Sequence, residues 1–183
     1  MENLISISSL NDFIFCPYSI YLHNVYMNTD EDIVHAAPQK LGIAAHQAID
    51  EKTYSSRKSD ITALSVYSYE FGIMGKIDLY RQSIKMLIER KYKLETIYQG
   101  QIYQLYGQYF CMIEMGYEIE RLAFYATSTN KTFSVNIPTA EDKVELLAFI
   151  TKFKKYDPAE VINANPNSAS IVFIATCAIK PKR

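Results

Sequence analysis

Between residues 65 and 91 the chain alternates apolar and polar positions in three short runs, 65–71, 75–80 and 84–91. Gly72 separates the first run from the second, and Arg81-Gln82-Ser83 turns the second into the third. A period of two marks strands with one buried face, and three such runs joined by tight turns predict an antiparallel meander. The apolar-periodic stretch 97–115 follows, closed by Gly116, and predicts a central helix. Segments 119–127 and 132–137 then read as two further strands about a Ser128-Thr129-Asn130 turn. Thr139 caps a last amphipathic helix over 140–156, with Asp142 early and Lys152, Lys154 and Lys155 late, as the helix dipole favours.

Upstream of the meander the pattern is helical. Ser8 or Ser9 can cap a short helix through Leu10 and Phe13. Pro17 opens a second helix over 18–26, which places Cys16 at the corner between them. Residues 28–39 are polar and acidic and read as a loop, and 41–54 has helical spacing with Ile43, His46 and Ile49-Asp50 near one face. The order is helices followed by β-β-β-α-β-β-α, an α+β arrangement in a chain of 183 residues, a length that suits one domain.

Composition narrows the function classes. Net charge is −1, so any nucleic-acid binding must rest on a local patch or on metal ions. Fifteen Tyr and nine Phe with no Trp suit strands and base stacking, and equally suit ordinary core packing. The first residues carry no basic segment followed by a long apolar stretch, and no run approaches the ~18 apolar residues of a membrane span. Three widely separated cysteines, Cys16, Cys111 and Cys177, argue against a disulfide framework and predict a reducing, cytoplasmic setting.

The chemistry concentrates on two neighbouring strands. Glu89 and Lys91 lie two apart and share one strand face. Asp78 lies on the preceding strand, close enough through a short turn for the carboxylates to converge. Two carboxylates beside an ammonium form a hard-oxygen site suited to Mg²⁺ or Mn²⁺, and His46 would bias it toward Mn²⁺. Such a metal polarises a phosphoryl oxygen and lowers the pKa of bound water, with Lys91 placed to orient that water or to offset charge on the phosphate. Taken singly, a helix-face His or a strand Glu-x-Lys is more often a solvated or packed side chain. The ordered set carries the signal.

The series Gly42-x-x-x-His46, Gly75-Lys76-Ile77-Asp78, Ile88-Glu89-Arg90-Lys91 and Gln104-Leu105-Tyr106-Gly107-Gln108 resembles the RecB-like branch of the PD-(D/E)XK nucleases. Within that branch it is most similar to the CRISPR-associated RecB-type exonucleases of the spacer-adaptation module. Ser8-x-Leu10-x-x-Phe13-x-x-Cys16-Pro17-Tyr18-x-x-Tyr21-Leu22 looks like that family's N-terminal cysteine motif, and the likeness runs over roughly residues 5–167. The resemblance implies a restriction-endonuclease-like core of β-meander, central helix and two further strands behind N-terminal helices. It divides a single domain, 1–183, into a helical segment (1–40), a nuclease core (41–160) and an atypical tail (161–183). It assigns His46, Asp78 and Glu89 as metal ligands with the Arg90 carbonyl completing the shell, Lys91 as the catalytic lysine, and Gln104 as a glutamine that supports the site and contacts DNA. The position four residues on, often aromatic in the family, is Gln108 here, which leaves its role open. Tyr106 and Tyr109 are then candidates for base stacking, with core packing the alternative. The implied activity is exonucleolytic trimming and selection of single-stranded prespacer ends, and the implied partners are DNA and the CRISPR integrase subunits. The rival expectations are a non-catalytic adaptor that binds DNA ends, which would not need the His-Asp-Glu-Lys set, and a RecB-type repair nuclease outside CRISPR.

The same family holds a 4Fe–4S cluster with one N-terminal cysteine and a C-terminal C-x2-C-x5-C triplet. Cys16 matches the first position, but after Asn165-Pro166-Asn167 the chain offers only Cys177, so four thiolates cannot be assembled. Cys111 falls within the central helix and reads as a small buried residue. Two explanations of the tail compete. In one, the cluster was lost and Ile171-Val172-Phe173-Ile174 became a buried strand. In the other, a one-base change of reading frame converted cysteines into Ala169, Val172, Ala175 and Ala178, since TGC and TGT read one base later begin Ala and Val codons. The first, second and last of these positions have the family's spacing. Codons incompatible with such a shift would exclude the second explanation.

Overall fold

The computed structural model describes residues 4–15, 17 and 60–157. The expected corner at Cys16, the helices over 18–26 and 41–54 with His46, the loop over 28–39 and the tail 161–183 lie outside the described residues. The described elements are β1 (Ile5–Ser6), α1 (Ile7–Phe15), β2 (Asp60–Thr62), β3 (Ser65–Ser68), β4 (Ile73–Lys76), β5 (Leu79–Arg81), β6 (Met86–Lys91), α2 (Gln99–Glu114), β7 (Arg121–Ala126), β8 (Lys131–Val135) and α3 (Ala140–Lys154). The architecture is mixed α+β with two mixed sheets, ordered β1-β4-β3 and β2-β5-β6-β7-β8. None of the described helices is long and apolar enough to cross a membrane.

The expected single meander is corrected. The run 75–80 alternates along its length, yet the chain leaves one sheet and enters the other within it. Ile77 closes the β3–β4 ladder by donating its N–H to the Leu64 carbonyl (3.0 Å). Leu79 then pairs with Ile88 in the second sheet. The next antiparallel rung would set Asp78 against Glu89, but the Asp78 side chain takes over: its Oδ2 accepts the Arg90 N–H at 2.7 Å. A short acidic side chain that captures a backbone donor ends a ladder locally. The strand break and the buried carboxylate have one cause.

Within the second sheet β6 and β7 run parallel, with α2 as the crossover between them, and β7–β8 close as a hairpin. The hairpin turn places Asn130 at φ 54°, where the Tyr125 hydroxyl donates to its Oδ1 (2.7 Å). α2 ends as expected at Gly116 (φ 86°), whose successor Tyr117 donates back to the Met112 carbonyl (2.9 Å). α3 begins at the Thr139 cap, where Asp142 N–H donates to Thr139 Oγ1 (3.2 Å) and Thr139 N–H donates to Asp142 Oδ2 (2.8 Å). The cap expected of Ser8 or Ser9 is corrected, because α1 starts at Ile7 directly after β1 and both serines lie within it.

The core joins the helices to the sheets. α1 buries Ile7, Leu10 and Phe13, and Phe13 sits among the rings of Phe149, Phe153 and Tyr156 at the end of α3. Leu105 and Met112 of α2, Leu87 of β6, and Leu122 and Phe124 of β7 are fully buried in the same cluster. Leu79, Ile88 and Ala123 are buried too, as expected of central strands covered on both faces.

The approach of α1 to α2 depends on Gly100. A Cβ there would meet Asn11 Oδ1 at 2.7 Å and the Asn11 backbone at 3.1–3.3 Å. Gly100→Ala is therefore expected to destabilise the fold by roughly 1–2 kcal/mol despite alanine's better helix propensity. A urea midpoint equal to or above that of the wild type would contradict this packing.

Candidate active site

Glu89 and Lys91 extend from one face of β6, and Gln104 and Gln108 lie one turn apart on α2, so all four side chains meet. Lys91 Nζ donates to Glu89 Oε1 (2.9 Å) and to Gln104 Oε1 (2.9 Å). Gln104 Nε2 donates to the same Glu89 oxygen at 2.7 Å, closing a triangle of side chains. Gln108 Nε2 donates to the other oxygen, Glu89 Oε2, at 2.8 Å. Asp78 is fixed separately by Arg90 N–H, so both carboxylates are held by the same strand.

Burial makes these contacts strong. Asp78 is 4% exposed and Glu89 1%, while the Lys91 side chain keeps 19% of its surface. Inside a protein, charge-assisted hydrogen bonds of this kind are roughly twice as strong as neutral ones. Carboxylate oxygens are the donors a hard divalent cation takes, and Asp78 and Glu89 are the residues here that could hold one. Among the described residues no three His, Cys, Asp or Glu side chains converge, and His46 lies outside them. Arg90, expected to offer its carbonyl to a metal, donates its N–H to Asp78 Oδ2 at 2.7 Å.

Gln108, whose role the resemblance leaves open, has a defined position. The side chain is 2% exposed, its amide nitrogen is on Glu89, and its Oε1 is buried with no hydrogen-bond partner among the described residues. The amide's orientation is set from its donor side. The signal was present in the sequence, since Gln104 and Gln108 are one helical turn apart and face the same carboxylate.

The two candidate stacking residues fall elsewhere. Tyr106 is 6% exposed and belongs to the core, and Tyr109 packs edge-on against Phe110 at 5.2 Å between ring centroids. Neither lines the groove that opens on the carboxylates, and burial raises both phenol pKa values. Cys111 is fully buried, and desolvation pushes its thiol up to about 12, so it stays protonated and inert.

The groove holds about 690 Å³ and brings Asp78, Glu89, Gln104 and Gln108 together with Ser6, Ser8, Tyr67, Tyr69, Met74 and Lys76. Its lining combines residues of the three-stranded sheet with residues of β6 and α2.

No family model and no curated protein matches the chain. Among solved structures, the crystal structure of SSO0001 is similar, with 18% sequence identity and a TM-score of 0.58. The similarity covers 98% of this chain and 89% of that one, so the two share a fold over nearly their whole lengths.

Proposed function

We propose that this protein is a divalent-metal-dependent deoxyribonuclease with a PD-(D/E)XK, RecB-like core, acting as an exonuclease on single-stranded DNA ends. Its proposed setting is the trimming and selection of prespacers in CRISPR spacer acquisition, in the cytoplasm and alongside the integrase subunits. The observation that carries the reading is the contact of Lys91 with both Glu89 and Gln104, beside a second buried carboxylate on Asp78. A purely structural ion pair has no need of a second buried acid, and burying charges for stability alone is generally unrewarding.

Asp78 and Glu89 would hold the Mg²⁺ or Mn²⁺. When bound, the ion supplies a polarised phosphoryl oxygen and a water acidic enough to attack it. The chain's own residues do the rest. Arg90 N–H and the two glutamine amides fix the carboxylates before substrate arrives, so little reorganisation remains at the moment of reaction. Lys91, the most exposed of the charged set, would offset the charge that develops on the phosphate.

The purified protein is expected to degrade 5′- or 3′-labelled single-stranded DNA with Mn²⁺ and to stop when EDTA is added. A preparation that binds DNA ends and never cuts them, at any Mn²⁺ or Mg²⁺ concentration, would replace this reading with the adaptor.

A further inference from the structure

Tyr67, Tyr69 and Met74 are 44%, 74% and 50% exposed. They are clustered. Tyr67 stands opposite Met74 in the β3–β4 ladder, and the Tyr67 and Tyr69 rings lie 5.1 Å apart at 60°. All three line the groove that reaches the acidic site. An exposed apolar cluster of this kind marks a binding surface more often than a packing defect.

Its surroundings identify the ligand. On β4, Met74 and Lys76 are both exposed and two residues apart, and Asp78 follows after two more. At ~3.3 Å per residue the span from Met74 to Asp78 is at most about 13 Å, the length of a few nucleotides. An aromatic surface, then an ammonium, then two buried carboxylates match bases, a phosphate and the phosphate to be cut. The hydroxyls of Ser6 and Ser8, hydrogen-bonded to each other at 2.8 Å, also lie on the groove wall.

The platform is also braced. Tyr69 N–H donates to Glu114 Oε1 on α2 at 2.9 Å, and Phe71 N–H donates to Ser68 Oγ at 3.1 Å. The Ser68 hydroxyl reaches the same Glu114, which holds that carboxyl below its usual range. The turn that carries Tyr69 is thus fixed ahead of binding, which lowers the ordering cost of capture.

We infer that Tyr67, Tyr69 and Met74 form a base-stacking platform that seats unpaired nucleotides beside the Asp78–Glu89 site and selects single-stranded over duplex DNA. The inference rests on the nuclease reading only for where the phosphate lies. Bases within a duplex are already stacked on one another, so the platform adds affinity for unpaired strands alone. Because every base has a π-face, the preference is tolerant of sequence.

The test is a fluorescence titration of the full-length Asp78→Ala protein with single-stranded DNA carrying one 2-aminopurine at successive positions from the end. Quenching is expected at one or two adjacent positions. Adding Tyr67→Ala and Tyr69→Ala should abolish it and weaken single-strand affinity about tenfold or more, with duplex affinity unchanged. Tyr67→Phe with Tyr69→Phe keeps the rings and should bind as the parent does. Equal affinity for the alanine pair, equal loss in both pairs, or no single-strand binding at all overturns the platform. So does a parent dimer, seen by sedimentation, that the alanine pair dissociates with DNA binding unchanged, since the face would then belong to a second copy. Tyrosine-dependent quenching together with a wild-type protein that never cuts with Mn²⁺ or Mg²⁺ would sink the nuclease reading and leave the platform standing.

Discussion

Lys91→Ala and Asp78→Ala are each expected to reduce Mn²⁺-dependent degradation of end-labelled single-stranded DNA by a factor of about a hundred or more. The two losses have different origins. Asp78→Ala removes one of two buried carboxylates and frees the Arg90 N–H that it accepts. Lys91→Ala leaves both carboxylates and removes the ammonium that donates to Glu89 Oε1. Losing one preorganised electrostatic group commonly costs 10²–10³ in rate. Stability separates a chemical role from a structural one. Asp78→Asn keeps an oxygen for the Arg90 N–H and deletes the charge, so it should fold with a thermal midpoint near that of the wild type and still fail to cut. Extra Mn²⁺ should not restore Lys91→Ala, because the lysine is not a metal ligand. Equal cutting by wild type, Lys91→Ala and Asp78→Ala would end the catalytic assignment.

Local periodicity carried much of the fold into view, and through-space competition hid the rest. Glu89 and Lys91 were legible as a pair because a strand repeats every two residues, and α2 and α3 because Gly116 and Thr139 mark their ends in the sequence itself. The break at Asp78 was not legible. Its cause is the N–H of Arg90, twelve residues away, and nothing in the alternation of 75–80 signals it. β1 was missed for a similar reason: two residues have no period, and Ile5–Ser6 become a strand only by pairing with Ile73 and Met74. The site followed the same division. Asp78, Glu89, Lys91 and Gln104 do converge, whereas Tyr106 and Tyr109 lie on a helix whose inward face cannot be told from its outward one by residue type alone. The alternation of 65–71 already placed Tyr67 and Tyr69 on the side opposite Val66 and Ser68, which are buried. That pattern was the better guide to exposed aromatics.

Phe124→Ala is expected to cost about 3–5 kcal/mol, the largest loss of stability argued from this structure. Phe124 is 0% exposed on β7 and pairs in parallel register with Glu89, so it packs beneath the site. Strand partners in register share a face, and on this face Leu87 and Leu122 complete the wall with fully buried side chains. Removing the ring would leave a cavity among residues held by the sheet ladder on one side and by α2 on the other, with little room to collapse. For a chain of this size the thermal midpoint should fall by roughly 10 °C. Phe124→Leu, which keeps most of the volume, should cost about 1–2 kcal/mol. The site should feel the same change. Glu89 is positioned by hydrogen bonds from Lys91, Gln104 and Gln108, so Phe124→Ala at a temperature where it is fully folded should lower kcat more than it raises KM. Urea denaturation of the two variants, read with the slope of the transition as well as its midpoint, measures the first part. A Phe124→Ala loss below about 1 kcal/mol would show that the β6–β7 pair does not hold the carboxylate in place, and the rigidity ascribed to Glu89 would go with it.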